Sequence, residues 1–138
     1  AEITDGLSNT ALLAEGAGRP SVYISGKKSL NPRTGSALGL PVTADGWGWA
    51  DINSGFSIDG ANKLGIQNDT SGSGVVTMAA DGNCFLNCTN DSELYAFHSG
   101  GGNFTFGDGS VHFIPAGTDL KVIVALMTAN FGDIGAIP

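Results

Sequence analysis

Basic residues are scarce in this sequence of 138 residues. Six Lys and Arg residues stand against 13 Asp and Glu residues, which gives a net charge of −7. Binding to nucleic acid or to an anionic membrane surface requires basic side chains that pair with phosphates. The charge balance therefore argues against both kinds of partner.

Long apolar runs are also missing. A run such as Val122 to Met127 is far shorter than the ~20 residues that span a bilayer, so no membrane span is predicted. No signal peptide is visible, and the first residue is Ala rather than Met, which favours a processed or trimmed product.

Glycine is abundant instead, with 22 residues, while 41% of the chain is hydrophobic and only 14% is charged. This composition is typical of a turn-rich, β-rich globular protein rather than a disordered one. A chain of this length buries roughly two-thirds of the surface that its unfolded form exposes. We therefore expect a single domain over residues 1–138.

Alternating apolar and polar residues on both sides of Asp108-Gly109 predict a β-hairpin with a two-residue type I′ loop. This register places Phe104 opposite Phe113, and both on one aromatic inner face with Phe106 and Val111.

A third strand, Glu93 to Phe97, is expected to complete an antiparallel meander. Shorter strands are predicted at Ala11 to Ala14, as a buried strand, and at Ser21 to Ser25, with a loop over residues 26–41.

One helix is predicted after the hairpin, with Thr118 as the N-cap and Asp119 complementing the helix dipole. It is expected to end near residues 130–132. Its apolar stripe comprises Leu120, Ile123, Val124 and Met127. The predicted fold class is β-rich α+β, an antiparallel sheet or meander with one C-terminal helix packed on it.

Trp47 and Trp49 fall on one side of a strand predicted over residues 47–52. Three interpretations are open for this pair: the protein core, a subunit interface, or an exposed platform that stacks on sugars.

Cys84 and Cys88 are the only cysteines and are spaced Cys-x-x-x-Cys. A zinc site needs two further ligands, and the two histidines, His98 and His112, are expected to point in different directions or to sit strands apart. A local disulfide is predicted, with free thiols as the alternative.

Asp5, Asn9 and Glu15 allow two interpretations. Short polar side chains in turns bond nearby backbone amides, but the same oxygens, together with Asp108, could bind a cation such as Ca²⁺. No EF-hand loop is present. Ca²⁺ is therefore a candidate ligand, and no other cofactor is expected.

Catalysis is not predicted. The acid and base available are His98 with Asp108 or Asp5, and the sequence contains no Gly-x-Ser-x-Gly elbow, paired-carboxylate signature or phosphate-cradling loop. The structural interpretation is that His98 ties backbone groups together beside a Gly-rich loop while Asp108 fixes the hairpin.

The spacing of His98, nine residues, then Asp108-Gly109 resembles the "prepilin-type processing-associated H-X9-DG" domain of bacterial pilin-like secreted proteins, abundant in planctomycetes. The motif positions here are His98, Gly101, Asp108, Gly109 and Ser110. Similar segments cover nearly the whole chain, and they are Ile3 to Thr10 with Glu15, Trp49 to Asp51, Phe56 to Gly60, and Asn87 to Asn90. The family's N-terminal prepilin helix is absent from this sequence.

The resemblance implies a non-enzymatic structural subunit of an extracellular or cell-surface assembly, a component of a pilin-like or pseudopilin-like filament. Its partners would be copies of itself or other pilin-like subunits. Contacts would come from globular surfaces, from strand addition at a sheet edge, or from the apolar tail with Ile134 and Ile137. The alternative is a secreted carbohydrate- or solute-binding module, stabilised by Ca²⁺, that uses the tryptophan pair.

Overall fold

The computed structural model describes residues 2–28, 50–52, 58, 60–62, 83–91 and 93–132. The elements are β1 (Ala11–Ala14), β2 (Tyr23–Ile24), β3 (Lys27–Lys28), β4 (Gly101–Phe106), β5 (Val111–Pro115) and α1 (Leu120–Met127). The described residues form antiparallel sheets and a single helix, which confirms the predicted β-rich α+β class. In this described part of the chain, no helix has the length and apolarity needed to cross a bilayer.

The chain divides into two compact units, which we describe separately. Unit 1 combines residues 1–15 with residues 98–138, and unit 2 comprises residues 16–97. The prediction of a single domain stays a prediction.

Unit 1 is built on a three-stranded antiparallel sheet in the order β1-β4-β5. The third strand is therefore β1, paired with β4, and the prediction that residues 93–97 complete the meander is wrong. Those residues belong to unit 2, where Leu94 and Tyr95 form only isolated bridges. Sequence proximity favoured the wrong strand, because the true partner lies about ninety residues earlier in the chain.

The β4–β5 hairpin has a three-residue loop, so the predicted two-residue type I′ turn is wrong. Phe104 pairs with His112 and Thr105 with Val111, one position away from the predicted register. Gly109 donates its N–H to Phe106 O at 2.9 Å and adopts φ +84°, while Phe106 donates to Ser110 O at 2.9 Å. This is the geometry of a tight turn followed by a left-handed glycine bulge.

The one-residue shift moves side chains to the opposite face of the sheet. Phe104, Phe106 and Ile114 are fully buried and form the inner face. Val111 and Phe113 lie on the other face, where they are exposed. The prediction that they join the aromatic inner face is therefore wrong.

Helix α1 contributes Ile123, Ala125 and Leu126 to the core of unit 1. Its N-cap is Asp119, whose side chain accepts from the N–H of Lys121 at 2.8 Å, so the prediction of Thr118 as the cap is wrong. The helix ends at Met127, before the predicted end. The predicted stripe is also only partly buried, because Leu120 and Val124 are exposed.

β1 is a strand as predicted, but it is not buried, since Leu12 and Leu13 are exposed. A β-bulge interrupts its register with β4 between Ala11 and Leu13. The short apolar run thus predicted the strand correctly and its burial wrongly.

Unit 2 contains a second hairpin, in which β2 pairs with β3. Its loop is Ser25-Gly26, and both residues have positive φ, as a type I′ turn requires. The strand predicted at residues 21–25 is shorter than expected, and Lys27 and Lys28 belong to a strand rather than to the predicted loop.

The disulfide between Cys84 and Cys88 is present, with 6.1 Å between the two Cα atoms, which confirms the prediction. Cys84 also pairs with Ala61 through two backbone hydrogen bonds. Of the strand predicted over residues 47–52, the described residues 50–52 form no strand. Trp47, Trp49, Ile134 and Ile137 lie outside the described residues.

Candidate functional site on the β4–β5 hairpin

The motif residues His98 and Asp108 lie at opposite ends of strand β4. His98 precedes the strand and Asp108 follows it in the turn, and a strand of this length spans roughly 17 Å. The structure therefore does not bring His98 and Asp108 together as an acid–base pair. Each end of the hairpin has its own network of polar contacts.

At the turn end, Asp108 Oδ1 accepts from the backbone N–H of Ser110 at 2.9 Å and from its hydroxyl at 2.7 Å. The Ser110 hydroxyl, then its backbone amide, hold the pKa of the exposed Asp108 carboxyl below its usual value. Both hydrogen bonds lie within the turn, and the role of Asp108 in fixing the hairpin stays a prediction.

His112 extends this network. Its Nε2 lies 3.1 Å from Ser110 Oγ, and its ring packs edge-to-face on Phe106 with centroids 5.1 Å apart. The serine hydroxyl therefore stands between the acid and the imidazole. In serine hydrolases the imidazole stands between the acid and the serine, so the order here differs from that of a catalytic triad.

At the other end, Glu15 is the central residue. Its Oε1 lies 3.1 Å from His98 Nε2, and its Oε2 accepts from the N–H of Asn103 at 2.6 Å. His98 was expected to tie backbone groups together, but Glu15 takes the backbone amide and His98 contacts the carboxylate. The His98 side chain is half exposed, so the pair itself contributes little to stability.

Gly101 opens β4 at a position with no room for a side chain. A Cβ there would overlap the carbonyl oxygen of Ile114 and the ring of Phe113. The close approach of the two strands explains why this motif position is glycine.

The four residues proposed for a cation do not form one cluster. Asn9 Nδ2 donates to Asp5 O at 2.8 Å, a local bond to a backbone carbonyl rather than to the backbone amide that was expected. Glu15 and Asp108 are engaged at opposite ends of the hairpin. Within the described ranges, no three His, Cys, Asp or Glu residues are arranged to hold a metal ion.

Asp5 is buried and acts over a long sequence distance. Its carboxylate accepts from the N–H groups of Phe131 and Gly132 at 3.1 and 2.9 Å. The N–H groups of Thr4 and Asp5 donate to Ala129 O. The first turn of the chain thus fixes the segment that follows α1, a contact that local turn chemistry did not predict.

The outer face of the unit 1 sheet is the feature that sequence analysis missed. We use this term for Leu13, Thr105, Val111 and Phe113. Leu13, Thr105 and Val111 form one row across the three strands, in direct register. Leu13 is 68%, Val111 61% and Phe113 46% exposed. With the three-residue loop, period-two alternation would have placed Val111 and Phe113 here.

Both edges of the same sheet are open among the described residues. In the described part of the chain, β1 and β5 each pair with β4 and with no further strand. In an antiparallel pair of strands, hydrogen-bonded and non-hydrogen-bonded residue pairs alternate. Phe106 and Ser110 form a hydrogen-bonded pair. Val111 and Phe113 therefore belong to non-hydrogen-bonded pairs, and their backbone N–H and C=O groups point away from β4. An open edge of this kind can pair with another strand.

The family described as "Protein of unknown function (DUF1559)" matches residues 1–121. The chain belongs to this family. The match covers β1 to β5, with both ends of the hairpin and the whole outer face. No curated protein and no solved structure is significantly similar to the chain.

Proposed function

We propose that the chain is a non-enzymatic structural subunit that assembles with copies of itself through the outer face of the unit 1 sheet. The observation that carries this proposal is the set of exposed apolar side chains on that face, Leu13, Val111 and Phe113, beside a strand edge that no described strand covers. Exposed apolar surface next to unpaired backbone groups is typical of an association surface.

The free energies of apolar burial and of association predict a weak contact between any two copies. Full burial of Leu, Val or Phe contributes about 1.5–3 kcal/mol each, and these side chains are already partly buried. Association costs at least about 4 kcal/mol in lost freedom of motion. Strand pairing along the β5 edge must add to the apolar contact, and assembly becomes stable only when each copy makes several contacts.

Charge opposes the assembly. Each copy carries a net charge of −7, so copies repel one another. Salt screens this repulsion, because the Debye length falls to about 10 Å at 0.1 M. Self-association through an apolar face should therefore strengthen as salt is raised.

The finer proposal is a pilin-like subunit that works outside the cell, alone or with other pilin-like subunits. The order of His98, Gly101 and Asp108-Gly109 supports it through the resemblance to the H-X9-DG domain. The disulfide of Cys84 and Cys88 supports an oxidising compartment, since such bonds are rare in the cytosol.

Sedimentation velocity across a concentration series tests the proposal. Wild-type protein should show a concentration-dependent rise in sedimentation coefficient that grows with salt. Val111→Lys should abolish the rise, because it places a strongly hydrated charge on the outer face.

Val124→Lys is the matched control. It makes the same chemical change and the same change in net charge at an exposed valine of helix α1. It should associate as the wild type does. A wild type that stays monomeric at all concentrations, or equal behaviour of the two variants, would contradict the proposal.

A further inference from the structure

Unit 2 holds an exposed aromatic residue on a rigid base. Phe97 is 59% exposed, and its ring packs edge-to-face on Tyr23 and Tyr95, with centroids 4.9 and 5.7 Å away. Tyr95 is buried beneath, and its hydroxyl accepts from the N–H of Gly26 at 2.8 Å. The Phe97 ring is thus held in place without being covered.

Tyr23 is fixed even more firmly. Asn90, which is fully buried, accepts from the Tyr23 N–H with Oδ1 at 2.8 Å, and donates its own N–H to Tyr23 O at 3.2 Å. Gly18 lies so close to the Tyr23 ring that a Cβ there would be 2.7 Å from it. A buried amide therefore positions a side chain that is itself only half buried.

Lys28 adds a positive charge to the same surface. It pairs directly with Tyr23 in the β2–β3 hairpin, so the two side chains share a face with Cβ atoms about 5 Å apart. Lys27 pairs with Ile24 and lies on the opposite face. This local positive charge stands out in a chain with a net charge of −7.

We propose that Tyr23, Lys28 and Phe97 form a binding site for a saccharide that carries a carboxylate. The exposed Phe97 ring, beside the half-buried Tyr23 ring, offers an apolar, preorganised surface on which the C–H face of a sugar can pack. Lys28 then pairs with the carboxylate, which selects acidic over neutral sugars. This site shares no residue with the outer face or with the tryptophan pair.

Two other ligand classes fit the site less well. A quaternary ammonium ion needs space between aromatic rings, but these rings contact one another, and Lys28 would repel a cation. A peptide that binds by strand addition needs a long open edge, and β3 has only two residues.

Isothermal titration calorimetry with short oligogalacturonates tests the proposal, with neutral cello-oligosaccharides as the comparison. The wild type should bind the acidic sugar with a dissociation constant of about 0.1–1 mM, and the neutral sugar more weakly. Phe97→Ala should weaken binding by about tenfold, the order of one lost aromatic contact. Phe97 is exposed, so an unchanged unfolding midpoint should show that the variant folds.

The two lysines supply the matched control. Lys28→Gln should lower the affinity to that for the neutral sugar, while Lys27→Gln should stay within about twofold of the wild type. Equal losses in the two variants would mean nonspecific attraction of an anion. That result, or no binding by the wild type, would overturn the proposal.

A protein partner is the remaining outcome. If Phe97→Ala abolished self-association of the chain and left sugar binding unchanged, the surface would be a contact between copies and the saccharide proposal would be wrong. If Val111→Lys removed self-association and left sugar binding intact, the two surfaces would be independent, as we propose.

Discussion

The two units satisfy their backbone polar groups in different ways. Unit 1 uses regular structure, with a three-stranded sheet and one helix around a core of Phe104, Phe106 and Leu126. The described residues of unit 2 form only two-residue strands and isolated bridges. There the backbone is tied by buried side chains and by a disulfide.

Asn90 illustrates the second strategy. Its Nδ2 donates to the carbonyl oxygens of Ala17 and Ser21 at 3.1 and 2.8 Å, and its Oδ1 accepts from Tyr23. One buried side-chain amide thus supplies hydrogen-bond partners to the backbone groups of a loop, as a neighbouring strand does in a sheet. Unit 2 should therefore depend on single polar residues, and unit 1 on apolar packing.

The largest effect is expected from a substitution in the core of unit 1. Phe104→Ala should lower the free energy of unfolding by about 3–5 kcal/mol, because it leaves a cavity beneath the sheet. Phe113→Ala, on the outer face, should lower it by less than about 1 kcal/mol. Urea unfolding of dilute protein, followed by circular dichroism, measures both. Equal losses would support the register in which Phe104 faces Phe113.

The next effect tests the polar strategy of unit 2. Asn90→Ala should lower the free energy of unfolding by about 3 kcal/mol, since it leaves three partly buried backbone groups without their Asn90 partner. Asn130→Ala, at an exposed position, should change it by no more than about 0.5 kcal/mol. A similar small effect of both substitutions would show that Asn90 does not organise unit 2.

Reduction of the disulfide should have a smaller effect. The bond closes a short loop, so its loss should lower the free energy of unfolding by about 2 kcal/mol on the loop-entropy estimate. Intact mass should rise by two hydrogens on reduction. Equal masses with and without reductant would show that Cys84 and Cys88 are not bonded.

The smallest effect belongs to the hairpin turn. Asp108→Ala should lower the unfolding midpoint slightly at neutral pH, because Ser110 loses its acceptor. The pKa of Asp108 is lowered in the folded state, so its contribution is present above the ordinary Asp pKa and is lost as pH falls through the lowered value.

Asp108→Asn is the control for this effect, since it keeps an oxygen acceptor and cannot ionise. Its midpoint at neutral pH should lie closer to that of the wild type, and its difference from Asp108→Ala should not depend on pH. If the difference in unfolding midpoint between the wild type and Asp108→Ala stayed constant down to low pH, the role of the Asp108 charge would be contradicted.

Local patterns in the sequence predicted the hairpin, the helix and the disulfide. The prediction of the strand register failed because the turn type was wrong. The residues around the turn, Phe106, Gly107 and Ser110, are compatible with a two-residue and with a three-residue loop. That single residue of register determined whether Val111 and Phe113 were assigned to the core or to the outer face. The wrong turn type therefore assigned residues of the candidate association surface to the core.

Contacts between distant segments were beyond local patterns. Nothing in the neighbourhood of Asp5 indicates that its carboxylate binds the amides of Phe131 and Gly132. The pairing of β1 with β4 likewise joins segments that the chain separates widely. Such contacts depend on the packing of the whole unit, and periodicity carries no information about them.

Electron microscopy of protein isolated without refolding, compared side by side with Val111→Lys, tests the central claim most directly. The account predicts ordered filaments or sheets for the wild type and dispersed particles for the variant. Uniform monomers in the wild type, or the same filaments in both, would contradict assembly through the outer face.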